Sequence, residues 1–161
     1  MANSFTTTFD FNKLKNELKS IFKDQLNVMG NGINKAIQDG INAGKDIEGN
    51  SFEPLHEITT MTGGSKILER SGTMKQTNKD PATESNLKFE ITMTGKSSRT
   101  GNYYGAYHNT GYINPPGSWF PGTEVEPRKW FGISKEMRIG GDEFDKRILE
   151  IRARIRSAWA K

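Results

Sequence analysis

Between Phe11 and Ile41 the chain places an apolar residue every three or four positions: Phe11, Leu14, Leu18, Ile21, Phe22, Leu26, Met29, Ile33, Ile37 and Ile41. That period is the one an amphipathic α-helix requires, and Asp10 just ahead of it is a residue type that caps helix N-termini. A helix is therefore predicted over residues 10–41. At 1.5 Å per residue it would form a rod of about 45 Å, long for one domain. A helix this long with a narrow stripe often packs partly on a neighbouring subunit. Gly30-Asn31-Gly32 interrupts the pattern, and each glycine costs about 1 kcal/mol relative to alanine, so a kink or a two-helix break is expected there.

A second helical stripe closes the chain: Phe144, Ile148, Ile151, Ile155 and Trp159 within residues 142–160. Asp142, Glu143 and Asp145 come first and arginines last, the order that a helix macrodipole favours. Glu143 and Arg147, and Glu150 and Arg154, are expected to pair at i,i+4. Between the helices, Leu87–Thr94 alternates apolar with polar residues and reads as a strand with one buried face. The preceding Gln76–Asn86 run is polar, contains Pro81, and reads as an exposed turn or loop, an extended hairpin arm being the alternative. Lys66–Arg70 fits a short helix or a strand. Gly101–Gly111 is expected to form a helical turn that sets Tyr104 and His108 on one face. After a loop punctuated by Asn114-Pro115-Pro116-Gly117 and Pro121-Gly122, Glu124–Ile133 is expected to return as a strand into the sheet. The expected architecture is one α+β domain over residues 1–161: N-terminal helix 10–41, antiparallel β-sheet with long loops over 45–135, C-terminal amphipathic helix 142–160.

A chain of 161 residues can bury roughly 70% of its unfolded surface around one core. Its apolar share of 33% and mean hydropathy of −0.73 are low, while its 10% aromatic residues are too many for a disordered chain. A modest core with partner surfaces fits both. No cysteine is present, which removes disulfides and thiolate metal sites. The opening MANSFTTTFDF has no basic segment followed by an apolar run, and no stretch approaches the ~20 apolar residues of a membrane span. A soluble chain that is not exported is expected. The net charge of +4 is concentrated at the two ends, on Lys13, Lys15, Lys19 and Lys23 and on Arg147, Arg152, Arg154, Arg156 and Lys161.

Catalytic machinery is not visible. The two histidines, His56 and His108, lie far apart without a carboxylate cluster of metal-ligand spacing, so neither a metal nor a cofactor is expected. Gly63-Gly64-Ser65-Lys66 lacks the full spacing of a phosphate-cradling loop. His108 is expected to fix a turn by hydrogen bonding to backbone, with the Pro127-Arg128 strand as its candidate partner. Arg128, beside Trp130-Phe131, can stack on a ring or pair with a carboxylate, within its own chain or across to a neighbouring subunit. Trp119 and Phe120, set in a Pro/Gly loop, are the candidates for an exposed contact, together with Trp130, because aromatics are enriched at interface hot spots.

Four short blocks carry a resemblance. Tyr104, His108 and Gly111 match a Tyr-Ala-x-x-His-x-x-Gly-like pattern, with Gly105 and Ala106 replacing or shifting the usual small residue; Pro127, Arg128, Phe131, Gly132 and Ser134 match an Ile-Pro-x-Arg-Pro-Phe-Leu-Gly-like pattern, with Lys129 where a second proline is common. Upstream, GNSFEPL (residues 49–55) and KILERSGTM (66–74) match two further blocks in the same order. Over roughly residues 45–150 the chain thus resembles the tail-completion, or virion morphogenesis, proteins of tailed bacteriophages. The resemblance implies a non-catalytic virion protein, made in the host cytoplasm, that forms a ring, commonly sixfold. It would sit in the tail or neck, as tail terminator or head-tail joining protein. Its implied partners are further copies of itself, the tail tube protein and head-connector or neck proteins, with DNA only passing through the channel and no membrane involved. The alternative from the residues is a small basic nucleic-acid-binding protein whose helices track phosphates and whose tyrosines stack on bases; a carbohydrate-binding module is a weaker third.

Overall fold

The computed structural model describes residues 10–54, 75–96, 104–117 and 120–159. Its first element, α1 (Phe11–Ala43), is one continuous helix of 33 residues. Asp10 caps it, its carboxylate accepting from the Asn12 and Lys13 amides at 2.9 and 3.0 Å. At the other end Gly44 takes a left-handed φ of 68°, and the Gly44 and Lys45 amides donate back to Ile41 and Gly40. Those two bonds satisfy carbonyls that the helix end would otherwise leave open.

The expected break at Gly30–Gly32 is not present. Gly30 is buried, and a Cβ built on it would overlap the ring of Phe89, so the missing side chain is a slot for an aromatic and not a hinge. Packing of the ring offsets the backbone entropy that glycine loses in a helix, and the helix continues through this position.

Two strands, β1 (Thr77–Asp80) and β2 (Glu90–Met93), form an antiparallel hairpin in which Thr77 faces Met93 and Asp80 faces Glu90. Of the readings left open for 76–86, the hairpin arm is the one found. The strand expected over Leu87–Thr94 keeps its alternation but is shorter; Leu87 is exposed, while Phe89, Ile91 and Met93 are half-buried. What docks the hairpin is a ladder of α1 amides. Asn27 both donates to the Ala82 carbonyl and accepts from its amide, at 3.1 and 2.8 Å. Asn31 accepts from Lys79 Nζ, Asn34 accepts from the Thr77 hydroxyl, and Gln38 donates to the Lys75 carbonyl. Positions 27, 31, 34 and 38 share one helix face, and they pair with the hairpin's backbone and polar side chains along a partly exposed seam.

A short helix, α2 (Tyr104–Thr110), leads into a second two-stranded ribbon, β3 (Tyr112–Ile113) with β4 (Glu124–Val125). Glu124–Ile133 was expected to be one strand of a common sheet. Only its first two residues are, and the rest runs irregularly because its backbone groups bond to α2 and to the 45–51 loop instead: Arg128 N to His108 O, Phe131 N to Asn109 Oδ1, and Ile47 N to Lys129 O. A 3-10 turn (Lys135–Met137) precedes α3 (Asp142–Trp159). The α+β class with long N-terminal and C-terminal helices and antiparallel strands is as expected.

No residue of α3 is fully buried. It is fixed to α1 by the half-buried Phe144, Ile148, Ile151 and Ile155, with Trp159 of the expected stripe 64% exposed, and by Arg154, which bonds Asp24 at 2.9 Å and holds that carboxyl below the usual range. The expected Glu150–Arg154 pair is thereby displaced. Glu150 instead holds Arg147 at 2.8 Å, and Arg147 also reaches Glu143 as expected. The core of the described residues is small: Ile37, Ile41, Phe52 and Trp130 cluster, with Ile33, Met93 and Phe131 against them.

Replacing a helical glycine by alanine ordinarily stabilises by about 1 kcal/mol. At Gly30 the sign should reverse, with Gly30→Ala destabilising by about 1–3 kcal/mol through overpacking against Phe89. Urea unfolding measures it, and Gly30→Ala combined with Phe89→Leu should recover part of the loss.

Candidate functional site

Two of the blocks that carried the sequence resemblance, around His108 and Arg128, pack against each other. Trp130 is the centre of this unit. It is only 1% exposed, and its indole Nε1 donates to the Gly105 carbonyl at 3.1 Å. A Cβ on Gly105 would lie 2.5 Å from the indole Cζ2, so glycine is required for the ring to seat under α2. The expectation that Trp130 serves an interface is corrected: it is the most completely buried large side chain described, and the neighbouring Phe131 ring meets it edge-on with centroids 5.6 Å apart.

His108 and Arg128 meet through the backbone, the Arg128 amide donating to the His108 carbonyl at 2.7 Å. The imidazole takes no part in that bond; it stands edge-on to Tyr112 at 5.4 Å with Nδ1 buried and unpartnered, as is Arg128 Nε. Burial, and then the nearby Arg128 charge, push the His108 pKa down to about 4. Among the described residues Arg128 forms no ion pair. Gly111 has φ 77°, and a Cβ there would lie 2.9 Å from the Val125 carbonyl oxygen and 3.1 Å from the Pro127 ring, so these positions hold the tight exit from α2. Pro127 is exposed. Tyr104 opens α2, but its side chain, like Trp119, His56, residues 63–66 and the KILERSGTM block, lies outside the described residues. Phe120 is 39% exposed in the loop whose ends pair Asn114 with Thr123 and Gly122.

Packing this unit onto α1 creates a feature that none of the motif residues announced. Phe131, Gly132 and Ile133 form one wall of an apolar groove of about 260 Å³; Leu26, Met29 and Ile33 of α1 form its floor, and Phe89 and Ile91 form the opposite wall. The floor residues continue toward the helix N-terminus as Phe22 and Phe11, 39% and 74% exposed. The open stretch of α1 thus runs from Phe22 into the groove. The floor residues belong to the apolar stripe that the sequence shows, but which part of that stripe stays open depends on the segments that form the walls. Ile139, 88% exposed, was also passed over.

Among the described residues no group of three or more His, Cys, Asp or Glu side chains gathers at metal-binding distance, and no helix is long and apolar enough to cross a membrane. What the site can do chemically is present an apolar concavity beside a rigid aromatic unit.

Trp130→Ala should cost about 3–5 kcal/mol of stability, the range for a buried large aromatic; a surface contact residue would leave the unfolding midpoint unchanged. His108 predicts a pH dependence. Unfolded, it titrates near 6.5, so as pH falls below that value the unfolded chain binds a proton that the folded chain refuses until about pH 4. Stability should be complete above about pH 6.5 and fall by roughly 3 kcal/mol by pH 4. His108→Gln should flatten that part of the urea-midpoint profile.

No family model matches this chain, and no curated protein or solved structure matches it significantly.

Proposed function

We propose that this chain is a ring-forming structural subunit of a tailed-bacteriophage virion, placed at the head-proximal end of the tail or in the neck. The observation that carries the association is the open apolar face of α1 leading into the groove, on a protein whose described residues bury only six hydrophobic side chains. A monomer with a core that small gains little by leaving Phe22 and the groove lining open to water; a subunit whose neighbour covers them gains their burial as well. A ring needs a patch that meets a different patch on the next copy, and the angle between the two sets the copy number at closure. The order of the four motif blocks supports the phage assignment, and two of them, around His108 and Arg128, build the unit that walls the groove.

In this reading the ring caps the tail tube and offers its other surface to the head connector. Several basic residues that a nucleic-acid-binding surface would use are already occupied: Lys23 bonds Glu84, Lys35 bonds Asp39, and Arg147 and Arg154 hold carboxylates.

Electron microscopy of particles made with the gene silenced in its parent genome tests the proposal. Filled heads beside unattached or overlong tails are expected, with overlong tails pointing to a terminator and unattached tails of normal length to a neck joiner. Normal infectious particles would remove the joining role and favour nucleic-acid binding.

A further inference from the structure

We infer that the α1 groove is the seat for Ile139 of a second copy of this chain, with the acidic residues around Ile139 facing the lysines of α1. The inference rests on the ring reading only in taking copies of the chain as one another's partners.

Ile139 is the most exposed large hydrophobic residue described, at 88%. It is also firmly held. It sits in a turn closed by the Gly141 amide on the Arg138 carbonyl at 2.8 Å, with Gly140 at φ 84° in the position where a type II turn requires positive φ. Arg138 anchors that turn twice, through Nε to the Ile133 carbonyl and through Nη2 to Glu48 Oε1, both at 2.9 Å. On the far side the Asp145 amide bonds the Gly141 carbonyl as α3 begins. An isoleucine presented to water at the tip of so braced a turn has little ordering left to lose on docking, which is what an anchor residue needs. Among the described residues nothing covers it.

The groove suits it in shape and in surrounding charge. Its walls and floor are aliphatic and aromatic, with room for a branched side chain. Along α1 the floor lies on two rows of heptad spacing, Lys15-Phe22-Met29 and Lys19-Leu26-Ile33. The lysines therefore stand on the groove's own face, about 10 Å ahead of Phe22 and Leu26. In the segment around Ile139, Arg138 pairs with Glu48 and Lys146 with Glu143, which leaves exposed Glu136, Asp142 and Asp145 against the single lysine Lys135, a net negative surround. Among the described residues these three acids make no ion pair, and neither do Lys15 and Lys19. A knob with an acidic collar and a groove with basic residues along its approach occur on the same chain at different places, which is the complementarity of a contact between copies.

The absence of native cysteine allows a direct test by disulfide crosslinking. Protein carrying Ile139→Cys is mixed with protein carrying Met29→Cys and oxidised, and mixed dimers are counted by mass spectrometry. Ile113→Cys, at a residue 67% exposed, replaces the knob variant as the control for chance collision. The expected result is at least a fivefold excess of the 139–29 dimer over the 113–29 dimer. Lys15→Glu with Lys19→Glu in the groove partner should abolish the excess, and Glu136→Lys with Asp142→Lys in the knob partner should restore it. A yield equal to the control, or one indifferent to these charge reversals, overturns the seat. Mass photometry of the unaltered chain judges the ring separately. Closed rings without the 139–29 crosslink reject this seat and keep the ring, whereas the crosslink in particles that stop at dimers keeps the seat and rejects the ring.

Discussion

Trp130 is where segments distant in the chain meet. Its indole lies under α2 at Gly105, against Ile37 and Ile41 of α1 and Phe52 beyond the first helix, and beside Met93 of the hairpin. The burial requires three things at once. Gly105 must lack a side chain, the Gly105 carbonyl must accept the indole N–H, and residues 126–134 must run irregularly so that Trp130 points inward while Phe131 and Ile133 turn toward the groove. An indole N–H left without an acceptor in that environment would cost about 1–3 kcal/mol, comparable with the hydrophobic gain. The route of the chain from α2 to α3 follows from satisfying that one side chain.

The other organising body is α1, whose circumference is divided into faces of different chemistry. One face carries the amide ladder of Asn27, Asn31, Asn34 and Gln38 and takes the hairpin; a second, with Ile21, Asp24 and Gly32, takes α3 and the 3-10 turn. A third carries Phe22 and Met29 and opens into the groove. Polar side chains are the reason the hairpin docks in one register. An apolar strip would tolerate sliding, whereas Asn27 matches both backbone groups of Ala82 and loses both bonds if the strand moves by a residue.

The sequence was legible where periodicity decides. Both helices, the Asp10 cap and the alternation around Ile91 follow from spacing alone. The misreadings share a cause, which is that a residue's cost or exposure was judged from its local type while its tertiary neighbour decided the matter. Gly30 is a helix breaker only if nothing fills the space beside it, and Phe89 fills it. Trp130 is an interface aromatic only if its N–H faces outward, and Gly105 turns it inward. Arg154 has a local partner in Glu150, but Asp24 across the helix pair gives it a contact that also fixes α3 to α1. The amide ladder was legible in principle, since polar residues at 4-3-4 spacing inside an apolar helix call for a partner. The groove was not, because its walls come from three segments whose meeting depends on Trp130.

A core this small also bears on stability itself. The cluster around Trp130 and the ladder on α1 order most of the described chain, and the net stability of a domain is a small remainder between burial and conformational entropy. Any partner that binds only the folded chain adds RT ln(1 + [L]/Kd) to that remainder, about 2.7 kcal/mol at a hundredfold excess over Kd. For a protein that meets its own copies, the partner concentration is the protein's own concentration, so folding and assembly draw on the same apolar surface. On the proposed assembly an open groove on α1 is a condition of use and not a defect of packing: the residues that would make a monomer more stable are those that a neighbouring copy would need uncovered.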